Sequence, residues 1–212
     1  MRPVICLITD RRRLRPGVTV VEQVRAAADA GVDLVQVRER DLEAAALLDL
    51  VRRCVAAVAG SRTRVLVNDR LDVALAAGAH GVHLRGNSFP AIRARTIAPP
   101  GFVIGRSVHG AAEAREVAGA GGVDYLIFGP VFETASKPGQ TPAGLQTLRA
   151  VASATSIPVL AVGGVVPSRL GAVAAAGACG FAAIGAFADD PGALHRVVSE
   201  ALRAFDSLEA GA

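Results

Sequence analysis

The 212-residue chain has no tryptophan, one tyrosine and only 4% aromatic residues, so it lacks the stacking platforms of single-strand nucleic-acid binders. Its net charge of +4 would suit an anionic partner, but the basic residues are spread along the chain without interleaved aromatics. Nucleic acid is therefore not expected. A site for small phosphorylated ligands accounts for the same charge. Cysteine is scarce too: Cys6, Cys54 and Cys179 are odd in number and form no C-x-x-C pair. They read as small apolar groups in a reducing compartment, with neither a disulfide framework nor zinc implied. Long hydrophobic runs are missing as well. The apolar start at 4–9 is too short for a signal-peptide core, and the uncharged stretch 170–188 is split by four glycines into a helix end, a turn and a strand. A cytoplasmic protein that neither spans nor binds a membrane is expected.

What is present is alanine and valine. Hydrophobic residues make up 51% of the chain and charged residues 20%, enough to bury one core and too apolar for disorder. Short β-branched runs near 4–9, 33–39, 64–69, 81–84, 103–109, 124–131, 158–163 and 180–187 alternate with alanine-rich helical stretches. Helix ends at Ala30-Gly31, Ala77-Gly78, Ala120-Gly121 and Ala176-Gly177 repeat a glycine cap before every second strand. Eight such units predict one domain over 1–212, as either a closed barrel or a doubly wound sheet. Polar residues gather at the C-terminal ends of many strands rather than at one crevice, which favours a (β/α)8 TIM barrel of the α/β class.

In the run 34–40 the period of two puts Gln36, Arg38 and Arg40 on one face, opposite two valines. Guanidinium groups pointing into a barrel need an anion, or an internal carboxylate such as Asp69 or Glu133. Asn68 and Asp69 end an apolar strand; Asp69 reads either as a helix cap or as an oxygen ligand for Mg2+ completed by phosphate oxygens. The segment 128–139 makes a long loop after strand six and holds Lys137, the single lysine, a candidate phosphate contact. Gly163-Gly164 and Ile184-Gly185 end strands seven and eight, where barrels commonly form a phosphate cradle. His109 is a candidate acid or base, or else a structural histidine. The run Arg11-Arg12-Arg13 reads as a solvated loop.

These motifs resemble the thiamine phosphate synthase and TenI family over essentially the whole chain: VQVRER at 35–40, VNDRLDVAL at 67–75, GVHL at 81–84, GRSVH at 105–109, DYLIFGPVFETASKPG at 124–139 and AVGGV at 161–165. The resemblance implies a (β/α)8 barrel. It also implies a transferase that joins hydroxymethylpyrimidine diphosphate to thiazole phosphate with Mg2+, releasing pyrophosphate. By the same resemblance Gln36, Arg38, Arg40, Asn68 and Lys137 hold the diphosphate and Asp69 the Mg2+. Thr134, Ser136, Gly164, Ile184 and Gly185 receive the thiazole phosphate, and Ser107 faces the pyrimidine.

Two departures keep other readings open. Synthases usually carry lysine at Arg40, and an acidic stretch with a second metal carboxylate where this chain reads Arg85-Gly86-Asn87-Ser88-Phe89. That segment is more similar to TenI-type thiazole tautomerases, which isomerise a thiazole carboxylate phosphate without a metal, and His109 would then be the acid or base. The histidine that serves tautomerases after the strand-six glycine is, however, Pro130 here. A synthase is the leading expectation, a tautomerase the alternative and a non-catalytic phosphate-binding regulatory barrel the third. A homo-oligomer is left open.

Overall fold

A computed structural model describes residues 2–134, 139–188 and 194–209. Strands and helices alternate: β1 (Val4–Ile8), α1 (Val20–Asp29), β2 (Leu34–Val37), α2 (Ala44–Ala57), β3 (Arg64–Asn68), α3 (Leu71–Ala76), β4 (Gly81–Leu84) and α4 (Ala91–Ile97). They continue with β5 (Val103–Val108), α5 (Ala111–Ala120), β6 (Tyr125–Phe128), α6 (Gly144–Ser153), β7 (Val159–Val162), α7 (Leu170–Ala175), β8 (Gly180–Ala183), α8 (Gly185–Ala188) and α9 (Leu194–Glu209). All neighbouring strands pair in parallel and β8 returns to β1, closing the barrel. Among the described residues no helix is long and apolar enough to cross a membrane.

The two-residue period sorts the core into two layers. Val35, Val37, Val65 and Val67 face outward and pack with helix residues such as Val24, Val51 and Val73. Cys6, Leu34, Leu66, Tyr125, Ile127, Leu160 and Ala182 form the smaller cluster inside the ring. Helix starts follow local chemistry where the sequence supplies it: Thr19 caps α1 in a reciprocal box with Glu22.

Several strands end earlier than the sequence periodicity predicts. β2 stops at Val37, so Arg38 and Arg40 belong to the following loop, and β8 stops at Ala183, so Gly185 begins α8 instead of lying on a strand. Four-residue strands complete their ladders with neighbours of similar length, and the chain then turns away. Inside the ring Gly105 leaves room for the Tyr125 ring, because a Cβ at that position would collide with the phenol. Gly105→Ala should therefore lower stability by about 1–3 kcal/mol through overpacking, read as a reduced urea midpoint with the far-ultraviolet spectrum retained.

Candidate active site

The C-terminal mouth of the barrel holds a cavity of about 420 Å³. On the β2–β4 side its wall includes Gln36, Arg38, Arg40, Asn68, His83 and Arg85. On the β6–β8 side it includes Thr134, Gly163, Gly164, Ile184 and Gly185, joined by Arg13 and Arg169. Ser107 lies on β5 between these sectors. Of the residues expected from sequence, Ser136 and Lys137 lie outside the described residues.

The first sector is held from behind. Glu39 is 4% exposed and accepts from the Thr9 hydroxyl at 2.6 Å and from the Arg11 guanidinium at 3.1 Å. The Thr9 hydroxyl oxygen accepts from the Arg38 N–H at 3.0 Å, which fixes the backbone where Arg38 leaves β2. Among the described residues neither the Arg38 nor the Arg40 guanidinium has a carboxylate partner. Burial and the charge of Arg40 lower the pKa of Arg38, against the pull of Asp10 and Glu39. Two neighbouring guanidinium groups with no carboxylate bonded to either favour an anion between them. Gln36 Nε2 donates to Asn68 Oδ1 at 2.9 Å, leaving the Asn68 amide hydrogens to the cavity, while the buried Gln36 Oε1 has no partner.

Of the histidines on β4 and just after β5, His83 lines the cavity and His109 does not. His109 is not part of the cavity wall; the chain has left β5, and the ring lies 3.3 Å from Glu113 at the start of α5. His83, inside the barrel on β4, is 2% exposed and joins Tyr125 Oη at 3.0 Å through Nδ1 and Ser107 Oγ at 2.9 Å through Nε2. The buried Tyr125 hydroxyl has no other partner among the described residues, so it donates to Nδ1. Nε2 then carries the ring proton and donates to Ser107 Oγ, whose own hydrogen is free to point into the cavity. Burial pushes the His83 pKa down to about 3, against attraction by Asp69 and with added repulsion from Arg106.

Asp69 also departs from expectation. It is neither a helix cap nor part of the cavity wall. Its positive φ of 62° turns the chain immediately after β3, and its carboxylate accepts from Arg85 Nε at 2.6 Å and from the Arg85 N–H at 3.3 Å. Burial alone would raise its pKa, but the Ser88 hydroxyl and these Arg85 contacts hold it below the usual carboxylate range.

The second sector is built from backbone. A Cβ on Gly163 would meet Pro130 at 2.6 Å and one on Gly164 would strike the Glu133 carbonyl, so only glycine allows these loops to close on each other. Sequence reasoning missed two arginines here. The Arg13 guanidinium, expected in solvent, comes within 3.2 Å of the position a Gly185 Cβ would take. Arg169 donates to the Gly164 carbonyl at 2.7 Å and lies 4.5 Å above the Phe132 ring.

The family model described as thiamine monophosphate synthase matches residues 5–187. The chain belongs to the thiamine monophosphate synthase and TenI family. It is 42% identical to a thiamine-phosphate synthase of Methanoculleus marisnigri over 85% of each chain. It is also 42% identical to one of Gloeobacter violaceus over 84% of this chain, which spans about half (52%) of that relative's length. The solved thiamine phosphate pyrophosphorylase of Pyrococcus furiosus superposes with a TM-score of 0.82 at 31% identity, covering 98% of this chain and 97% of that one. The fold itself is wider than the family, since a 3-hexulose-6-phosphate synthase at 20% identity reaches a TM-score of 0.66.

Two outcomes follow for this family member. Arg38→Ala should weaken pyrophosphate binding by roughly 2 kcal/mol with the fold intact, as a charge-assisted contact is lost from a partly dry site; calorimetry measures it. The unfolded chain protonates position 83 as pH falls through the ordinary histidine value of 6.5, whereas the folded ring stays neutral to about 3. Acid therefore favours unfolding across that window, and His83→Gln should lose less stability than the parent chain between those limits in urea titrations.

Proposed function

We propose that the chain is a thiamine-phosphate synthase that couples hydroxymethylpyrimidine diphosphate with thiazole phosphate. The supporting observation is one cavity with two anion-receiving sectors, arginine-lined beside β2–β4 and glycine-lined beside β7–β8. A diphosphate and a monophosphate can occupy them at once. An isomerase of one thiazole phosphate needs a single sector and a proton carrier. Among the described residues the cavity wall holds one histidine, His83, too acidic as an imidazolium to serve near neutral pH, and one carboxylic acid, Glu133, beside the β7 glycines.

In this reading Arg38, Arg40 and Asn68, with Gln36 behind them and Lys137, which follows β6 in the sequence, receive the diphosphate. Thr134, Ser136 and the backbone at Gly163, Gly164, Ile184 and Gly185 receive the thiazole phosphate. The Ser107 hydroxyl offers a donor to an acceptor nitrogen of the pyrimidine. The bond from the pyrimidine methylene carbon to the diphosphate oxygen breaks, and its electron pair leaves on pyrophosphate. The thiazole nitrogen lone pair then bonds that carbon, with no proton transfer needed. The chain's contribution is electrostatic and positional: fixed guanidinium groups stabilise the departing charge, and the two sectors hold the reactants in line.

The family typically works with Mg2+, but the residues here do not fit a metal site of their own. Asp69 is paired with Arg85 and is not part of the cavity wall. Among the described residues no three metal-ligating side chains gather. A cytoplasmic setting agrees with the free thiols of Cys6, Cys54 and Cys179.

Incubation with both substrates should yield thiamine phosphate and pyrophosphate in equal amounts. Isomerisation of a thiazole carboxylate phosphate without coupling would overturn the reading. Lys137→Ala should lower kcat by about tenfold or more while leaving the melting temperature nearly unchanged, because a charged side chain engaged with substrate adds little to the core.

A further inference from the structure

We propose that the Arg85 guanidinium stands at the diphosphate sector in the place of a divalent cation, so that this chain binds pyrophosphate without Mg2+. The proposal rests on the synthase reading of the cavity and deepens it. Its basis is which member of an ion pair faces the cavity. Asp69 and Arg85 directly follow β3 and β4, whose ladder ends with Asn68 beside His83, so the two side chains meet across the ladder end. Arg85 forms part of the wall and Asp69 does not. The carboxylate is bonded to Arg85 through both Nε and the N–H.

The loop that carries Arg85 is itself held. Arg106 donates to the Gly86 carbonyl at 2.7 Å, the Ser88 carbonyl at 3.2 Å and the Phe89 carbonyl at 2.9 Å. The backbone from Gly86 to Phe89 is thereby pinned to β5. Arg85 thus joins Arg38 and Arg40 as a third guanidinium on one wall, each with a planar donor set matched to phosphate oxygens. A doubly charged ion at that wall would face three positive groups, while the nearby carboxylate that could bind it is already neutralised. Diphosphate meets the opposite situation: three cations, one of them oriented by the Asp69 carboxylate.

Calorimetry with inorganic pyrophosphate tests this without turnover. The parent chain should bind pyrophosphate in the presence of a chelator, and millimolar Mg2+ should change its affinity less than about threefold. Arg85→Gly should lose about 30-fold in metal-free affinity, the scale of a charge-assisted contact, and should regain much of it with Mg2+ because Asp69 is released. Titration of Mn2+ into the free proteins, followed by electron paramagnetic resonance, should show no binding to the parent chain and weak binding to Arg85→Gly. Pyrophosphate binding by the parent chain that requires Mg2+, Mn2+ binding by the free parent chain, or unchanged metal-free affinity in Arg85→Gly overturns the proposal. Absence of coupling with metal-free pyrophosphate binding intact counts against the synthase reading alone. Coupling together with Mg2+-dependent pyrophosphate binding counts against the role of Arg85 alone.

Discussion

The ladder between β8 and β1 is the interaction on which the cavity depends. Val4 pairs with Gly180 and Leu7 with Ala183. A side chain at Gly180 would run into the Val4 backbone, so the seam closes only because that position is glycine. In an open sheet β2 and β8 would stand six strands apart, roughly 25–30 Å at ordinary strand spacing. Closure turns that distance into the width of one cavity of about 420 Å³, and residues from opposite ends of the chain can then hold two halves of one reaction.

Charge at the mouth follows a consistent arrangement. The buried Glu39 and the exposed Asp41 engage Arg11, Asp41 also engages Arg12, and Asp69 engages Arg85. These acids shape the backbone and orient side chains, while the arginines take the front. Arg38 and Arg40 are left with each other, a repulsion tolerable because Arg40 is exposed and Arg38 only half-buried. Glu133 is the acid that does reach the wall. It lies beside the β7 glycines, away from the arginine-rich sector.

Much of this was legible because it obeys short-range rules. Alternating valines marked the strands, glycines after alanine runs marked helix ends, and the period of two put Gln36 inside and Val35 and Val37 outside. What the sequence hid depends on reach and on strand length. Arg13, Arg85 and Arg169 arrive at the cavity on long side chains whose direction is set by partners elsewhere, such as Asp69 for Arg85 and the Gly164 carbonyl for Arg169. The link from His83 to Tyr125 is hidden for another reason: the two are 42 residues apart and no local pattern joins them. The signal that was available is the sole tyrosine following a glycine-bearing strand, a large ring that needs both space and a hydrogen-bond acceptor.

A cationic wall assembled in advance has a cost at the end of the cycle. Guanidinium groups keep their charge at any physiological pH, so in the proposed reaction a surface that draws the diphosphate in is equally attractive to the pyrophosphate that must leave. Accumulated pyrophosphate would compete directly with fresh substrate. Flux through such an enzyme then depends on how fast its surroundings hydrolyse that product, and the three arginines of the β2–β4 rim tie the protein's throughput to the phosphate economy of the cell.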